Sequence, residues 1–63
     1  MGQYRLGQRV TINEPSSHFD KKTGRISYHS SRDRYAVALD EIQYLYGSPV
    51  IEVRAKTSQL IAQ

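Results

Sequence analysis

The side chains with the clearest chemical potential in this chain are cationic, and they gather at two polar segments. Lys21, Lys22 and Arg25 lie around the first, and Arg32 and Arg34 flank the second. Ammonium and guanidinium groups grouped in this way attract an acidic surface, chiefly by steering its approach. Tyr4, Tyr28, Tyr35, Tyr44 and Tyr46 accompany them. Exposed tyrosines beside Arg and Lys can stack on bases while the cations neutralise phosphates. Two partner classes therefore follow from residue type: an acidic protein, or a nucleic acid.

The charge balance separates them only weakly. Nine Lys and Arg against six Asp and Glu leave a net charge of +3, which is modest for a dedicated nucleic-acid binder. Asp40, Glu41 and Glu52 all fall in the second half, so the basic segments stand out more than the total does. Charges in turns are also often no more than solvated.

Other chemistry finds little support. His18 and His29 are the two histidines, no Cys is present, and no spacing matches a metal site. No Ser-His-Asp arrangement can be drawn and no Gly-rich loop cradles a phosphate. A catalytic pore built from four such subunits, lined by Ile42-Gln43-Tyr44 or by residues 50–53, is the weakest reading. The expectation is a protein without enzymatic activity and without a cofactor.

The elements that must position these residues read as short strands. Sixty-three residues make one domain, residues 1–63, with one small core. No apolar run approaches the roughly 18 residues of a membrane span, so the chain is expected to be soluble and unprocessed. Met1 to Leu6 form a lead-in whose Tyr4 and Leu6 can cover one edge. Val10 and Ile12 alternate with Arg9, Thr11 and Asn13, a strand with one wet face that should stop near Glu14-Pro15. A second strand is expected at Arg25 to His29, with Ile26 and Tyr28 inward. Ser30 to Arg34 has the composition of a turn. A third strand runs from Tyr35 to Leu39, with Tyr35, Val37 and Leu39 on the core side.

Asp40 to Pro49 is ambiguous, because Ile42, Leu45 and Tyr46 also suit a helical turn before the break at Gly47-Ser48-Pro49. A fourth strand follows at Val50 to Arg54, with Ile51 and Val53 inward. A single 3-10 turn with a hydroxyl cap fits Ala55 to Gln59, and Leu60-Ile61 closes the chain as a fifth strand. The fold class is all-β: a small five-stranded antiparallel SH3-like barrel. Its expected core is Val10, Ile12, Ile26, Val37, Leu39, Ile51, Val53 and Leu60.

With the strands in place, the spacing of particular residues resembles a known family. Gly7-x-Arg9-Val10-x-Ile12-x-x-Pro15-x-Ser17-x-Phe19-x-x-x-x-Gly24-x-Ile26 is similar to the start of reaction-centre subunit IV of photosystem I, the PsaE family. Tyr35-Ala36-Val37 resembles that family's Tyr-Pro-Val strand, and Asp40-Glu41-Ile42-Gln43-Tyr44 its Asp-Lys-Val-Asn-Tyr segment. Ala55 to Leu60 resembles its closing turn and strand. Two departures accompany the match. Ala38-Leu39-Asp40 stands where the family carries a basic residue associated with ferredoxin docking, and residues 49–54 replace an Asn-rich stretch.

The resemblance implies an accessory subunit, peripheral on the cytoplasmic or stromal side of the thylakoid membrane. Its implied partners are the photosystem I core, the iron–sulfur subunit it helps to seat, and acidic ferredoxin. By charge, Lys21, Lys22, Arg25, Arg32 and Arg34 are the candidate contacts; the absent third-strand base either costs ferredoxin docking or is replaced by Arg34 or Arg54. The alternative is a KOW-like barrel that binds nucleic acid or a ribonucleoprotein. There Tyr28 and Tyr35 should be wall residues, leaving Tyr44 and Tyr46 open.

Overall fold

Alternating aliphatic residues need a neighbouring strand on each side and an apolar layer beneath, and a computed structural model describing residues 4–63 shows how this chain supplies both. Five strands and one 3-10 turn follow in order: β1 (Arg9–Ile12), β2 (Thr23–Ser31), β3 (Arg34–Leu45), β4 (Ser48–Lys56), the turn Thr57–Gln59, and β5 (Leu60–Ala62). They form one antiparallel sheet in the order β4-β3-β2-β1-β5. The all-β expectation holds, as does the single 3-10 turn before the last strand. Its pairings leave β4 and β5 as the two edges, with no ladder among the described residues that joins them into a closed barrel.

One core collects residues from every strand. Val10, Ile12, Ile26, Tyr35, Val37, Ala55 and Leu60 are buried together, with Tyr4, Phe19, Leu39 and Val53 packed against them. Because residues near both sheet edges meet in this cluster, the sheet must coil around it. Gly24 permits the closest approach: a Cβ there would collide with the Ala38 carbonyl oxygen and lie 2.8 Å from Val37 Cγ1. Tyr4 does cover the core, edge-on to Tyr35 at 5.3 Å with its hydroxyl donating to the Leu60 carbonyl. Leu6 does not, and is largely exposed. Met1 to Gln3, the rest of the expected lead-in, lie outside the described residues.

The β1–β2 loop explains the Pro15-x-Ser17-x-Phe19 spacing. Ser17 Oγ accepts from the Phe19 amide, and Asp20 Oδ1 accepts from the Glu14 amide, which turns Phe19 onto the core. The Lys21 amide then donates to the Ile12 carbonyl, returning the chain to the sheet.

Three expectations are corrected. First, Tyr28 does not face the core. The register shifts between Ile26 and Tyr28, so Tyr28 pairs with Ala36, whereas Ile26 pairs with core residue Val37. A bulge at Ser27 reverses the facing of Tyr28 and His29, and a second irregularity between His29 and Ser31 shifts the register again. Second, residues 40–45 are not helical. They extend β3 past an irregularity between Ala38 and Gln43, and residues 43–45 pair with β4 in a hairpin closed by Tyr46 and Gly47 at positive φ (53° and 80°), the conformation of a tight hairpin turn. Ile51, on this projecting part, is 62% exposed and is no core residue. Third, the 3-10 turn is shorter than expected and no hydroxyl caps it. Gln59 Oε1 accepts from the Lys56 amide, while Thr57 Oγ1 donates to the Asp33 carbonyl.

Candidate functional site

Cross-strand pairing builds a cationic surface on the face opposite the core. Along β3, Tyr35 and Val37 point inward, so Arg34, Ala36 and Ala38 point outward. Each outward residue has partners on both sides. Arg34 pairs with Ser31 and Lys56, Ala36 with Tyr28 and Arg54, and Ala38 with Arg25 and Glu52. Arg25, Arg34, Arg54 and Lys56 therefore share one face with Tyr28 and with Arg9, the partner of Arg25, and the acids on it are Glu52 and the Arg9-bound Asp40.

The middle of this face is organised by one bond. Arg54 Nη2 donates to the Tyr28 hydroxyl at 2.9 Å, spanning the strand between them. Ala36, directly beneath, is fully buried although it faces away from the core. A larger residue at 36 would push the two side chains apart. The hydroxyl bond and the nearby phenol raise the pKa of Arg54 further, so its charge is permanent and its head group is oriented.

The five cations singled out from sequence are spread along β2 rather than gathered. Arg25 and Arg34 stand on the outer face, and Arg25 Nη1 also donates to the Gly7 carbonyl. Arg32 lies in the two-residue turn between β2 and β3, exposed, its carbonyl 3.2 Å from His29 Nε2. Lys21 and Lys22 lie beyond the opposite end of β2. They line a shallow surface pocket of about 340 Å³ with Thr23, Leu39, Asp40, Glu41 and Gln43. Two carboxylates among its lining residues make that pocket mixed in charge.

Asp40 is held by neighbours on two strands. Its Oδ2 accepts from Thr23 Oγ1 and from Arg9 Nη2, both at 2.7 Å. The Thr23 hydroxyl and the Arg9 guanidinium hold its carboxyl below the usual carboxylate value. It anchors Arg9 across the sheet and is committed to that role.

From sequence, Arg54 entered only as a substitute for the absent third-strand base, Lys56 not at all, and Tyr28 as a wall residue. Alternation along β4 carries the signal for the first two, since Glu52, Arg54 and Lys56 share a parity opposite to Val53 and Ala55. Tyr28 had no such signal, because the bulge that turns it outward is a product of pairing. A second surface lies at the end of the β3–β4 hairpin, where Ile42, Tyr44, Tyr46 and Ile51 are all more than half exposed. Among the described residues no group of three or more His, Asp or Glu side chains is placed to hold a metal ion. None of their helices is long and apolar enough to cross a membrane. Comparison with protein-family models, curated proteins and solved structures gives no match.

Proposed function

We propose that this chain is a non-catalytic accessory subunit that works through protein–protein contacts, its outer face docking an acidic partner protein. One observation carries the reading: Arg25, Arg34, Arg54 and Lys56 share a face whose centre is kept low by Ala36 and Ala38. Such a surface steers an acidic protein and releases it readily, as weak transient docking requires. The apolar hairpin end suits a different task, a lasting contact with a larger assembly.

This division of labour matches the resemblance to the photosystem I peripheral subunit. There the apolar end would seat the chain on the core and iron–sulfur subunit, and the cationic face would receive ferredoxin. Arg54 and Arg34 would supply the charge that Ala38-Leu39-Asp40 lacks, since both stand on the outer face, Arg34 in β3 and Arg54 beside it in β4. The location implied is peripheral, on the cytoplasmic or stromal side of the thylakoid membrane.

A second reading draws on Tyr28, an aromatic ring beside Arg54 on the same face, an arrangement that also suits a KOW-like nucleic-acid binder. Tagging the protein in its native host and identifying what co-purifies at low and moderate salt separates the two. Recovery of photosystem I subunits at both salts supports the accessory-subunit reading. Recovery of RNA or ribosomes, lost as salt rises, overturns it.

A further inference from the structure

We propose that the open edge of β4 pairs antiparallel with the same edge of a second copy, Glu52 of each copy facing Arg54 of the other. Among the described residues no strand lies on the far side of β4. A free strand edge is a template for pairing, and natural edges are usually blunted by proline, bulges or lysine. Here Pro49 and Lys56 blunt the two ends of the strand and a ladder irregularity falls at Ile51, leaving Glu52 to Arg54 open.

The backbone register identifies which groups are available. The Thr57 amide donates to the Asp33 carbonyl, while Arg34 and Lys56 are direct partners. That makes 34–56 a non-hydrogen-bonded pair, and alternation then bonds Ala55 to Tyr35 and Val53 to Val37. The backbone N–H and C=O groups of Glu52 and Arg54 consequently point at the open edge. Those of Lys56 are the next in line, but its amide is already bonded to Gln59 Oε1.

Only one symmetric register uses both available residues. Centring a two-fold axis on Val53 sets Glu52 against Arg54 and Arg54 against Glu52, so each donates to and accepts from its counterpart. The side chains follow the backbone. Glu52 and Arg54 both stand on the outer face, and as neighbours across the new seam they form two identical ion pairs. The same register places exposed Ile51 opposite Ala55 of the other copy. Charge self-complementarity therefore selects a second copy of this chain over a foreign strand.

The pairing stands apart from the question of what docks on the cationic face, although it would join two such faces into one six-stranded surface. Sedimentation equilibrium of the full chain over rising concentration tests it, alone and as Glu52→Arg and Arg54→Glu variants. The wild type should dimerise, and each variant alone should dissociate about tenfold more readily because like charges meet twice. An equimolar mixture of the two variants should recover the dimer, since one copy then brings two cations to the seam and the other two carboxylates. Arg54→Glu also removes the bond to Tyr28, so amide exchange of the wild type gives an independent readout. The Glu52 and Arg54 amides should exchange more slowly as concentration rises. A wild type that stays monomeric, or a dimer indifferent to Glu52→Arg, overturns the proposal.

Discussion

The body of the sheet and the projecting end of the β3–β4 hairpin are built from the same kinds of residue and treat them oppositely. In the body, Val10, Ile12, Ile26 and Val37 are almost wholly buried, and Tyr35 with them. In the hairpin end, Ile42, Tyr44 and Ile51 are exposed, and Tyr46 at the turn is 95% exposed. Each region has cross-strand pairing, but only the body has a layer beneath it, supplied by β1, β5 and Phe19. Alternation thus specifies which face a side chain takes, and the presence of an opposing layer decides whether that face is a core.

The sharpest way to break this contrast is to charge the body. Val37→Asp should abolish folding, because an unpaired buried carboxylate costs more than so small a domain has in reserve. Dispersed amide signals from that variant would show the third-strand register to be wrong. The same substitution should have unequal effects in the two regions. Ile12→Ala should cost about 2–5 kcal/mol in denaturant unfolding, whereas Ile51→Ala should stay within about 0.5 kcal/mol of wild type. Similar losses at the two positions would mean that the hairpin end packs on something within the chain.

Smaller effects probe the joints between the regions. Tyr46 holds a positive φ that asparagine adopts more readily, so Tyr46→Asn should raise the thermal midpoint, by about 0.5–1 kcal/mol in stability. A fall would place an unseen contact on the Tyr46 ring. Asp40, at the start of the projecting part, should give the smallest effect and one confined to acid. Its pKa is depressed on folding, so its stabilisation is complete above the unfolded value, near 3.9, and disappears as pH falls through the lower folded value. The difference in thermal midpoint between wild type and Asp40→Asn should hold steady from neutral pH to about pH 5 and shrink below about pH 4. A difference that persists unchanged at about pH 2 would assign the effect to hydrogen bonding alone.

The two regions also differ in how far the sequence announces them. Val10, Ile12, Ile26 and Val37 were legible because strict alternation coincides there with a covered face. Pro15, Ser17 and Phe19 marked the loop that carries an aromatic ring back to the core. Residues 40–49 were not, because Ile42, Leu45 and Tyr46 satisfy a helical period as well as a strand. A turn made by Tyr-Gly also lacks the Asn-Gly signature of a tight hairpin. Ile51 was misplaced because alternation cannot show where the opposing layer stops. Tyr28 was misplaced because the one-residue bulge at Ser27 reverses the side chains that follow it up to the next irregularity. The cationic face was half legible: Arg25 and Arg34 drew notice as loop charges, but only pairing shows them beside Arg54 and Lys56.

That face is the centre of the account, and Arg34 and Lys56 offer the cleanest access to it. Their partners in the sheet, each other and Ser31, are matched through the backbone, so reversing their charges leaves the Tyr28–Arg54 bond in place. The decisive measurement is co-purification from the native host after cross-linking at low salt, which traps a transient partner, with wild type and with the Arg34→Glu, Lys56→Glu double variant at matched expression. An acidic protein held by the wild type and lost by the variant, while contacts of the apolar hairpin end persist, is the predicted result. Equal recovery of every partner by both proteins would contradict it.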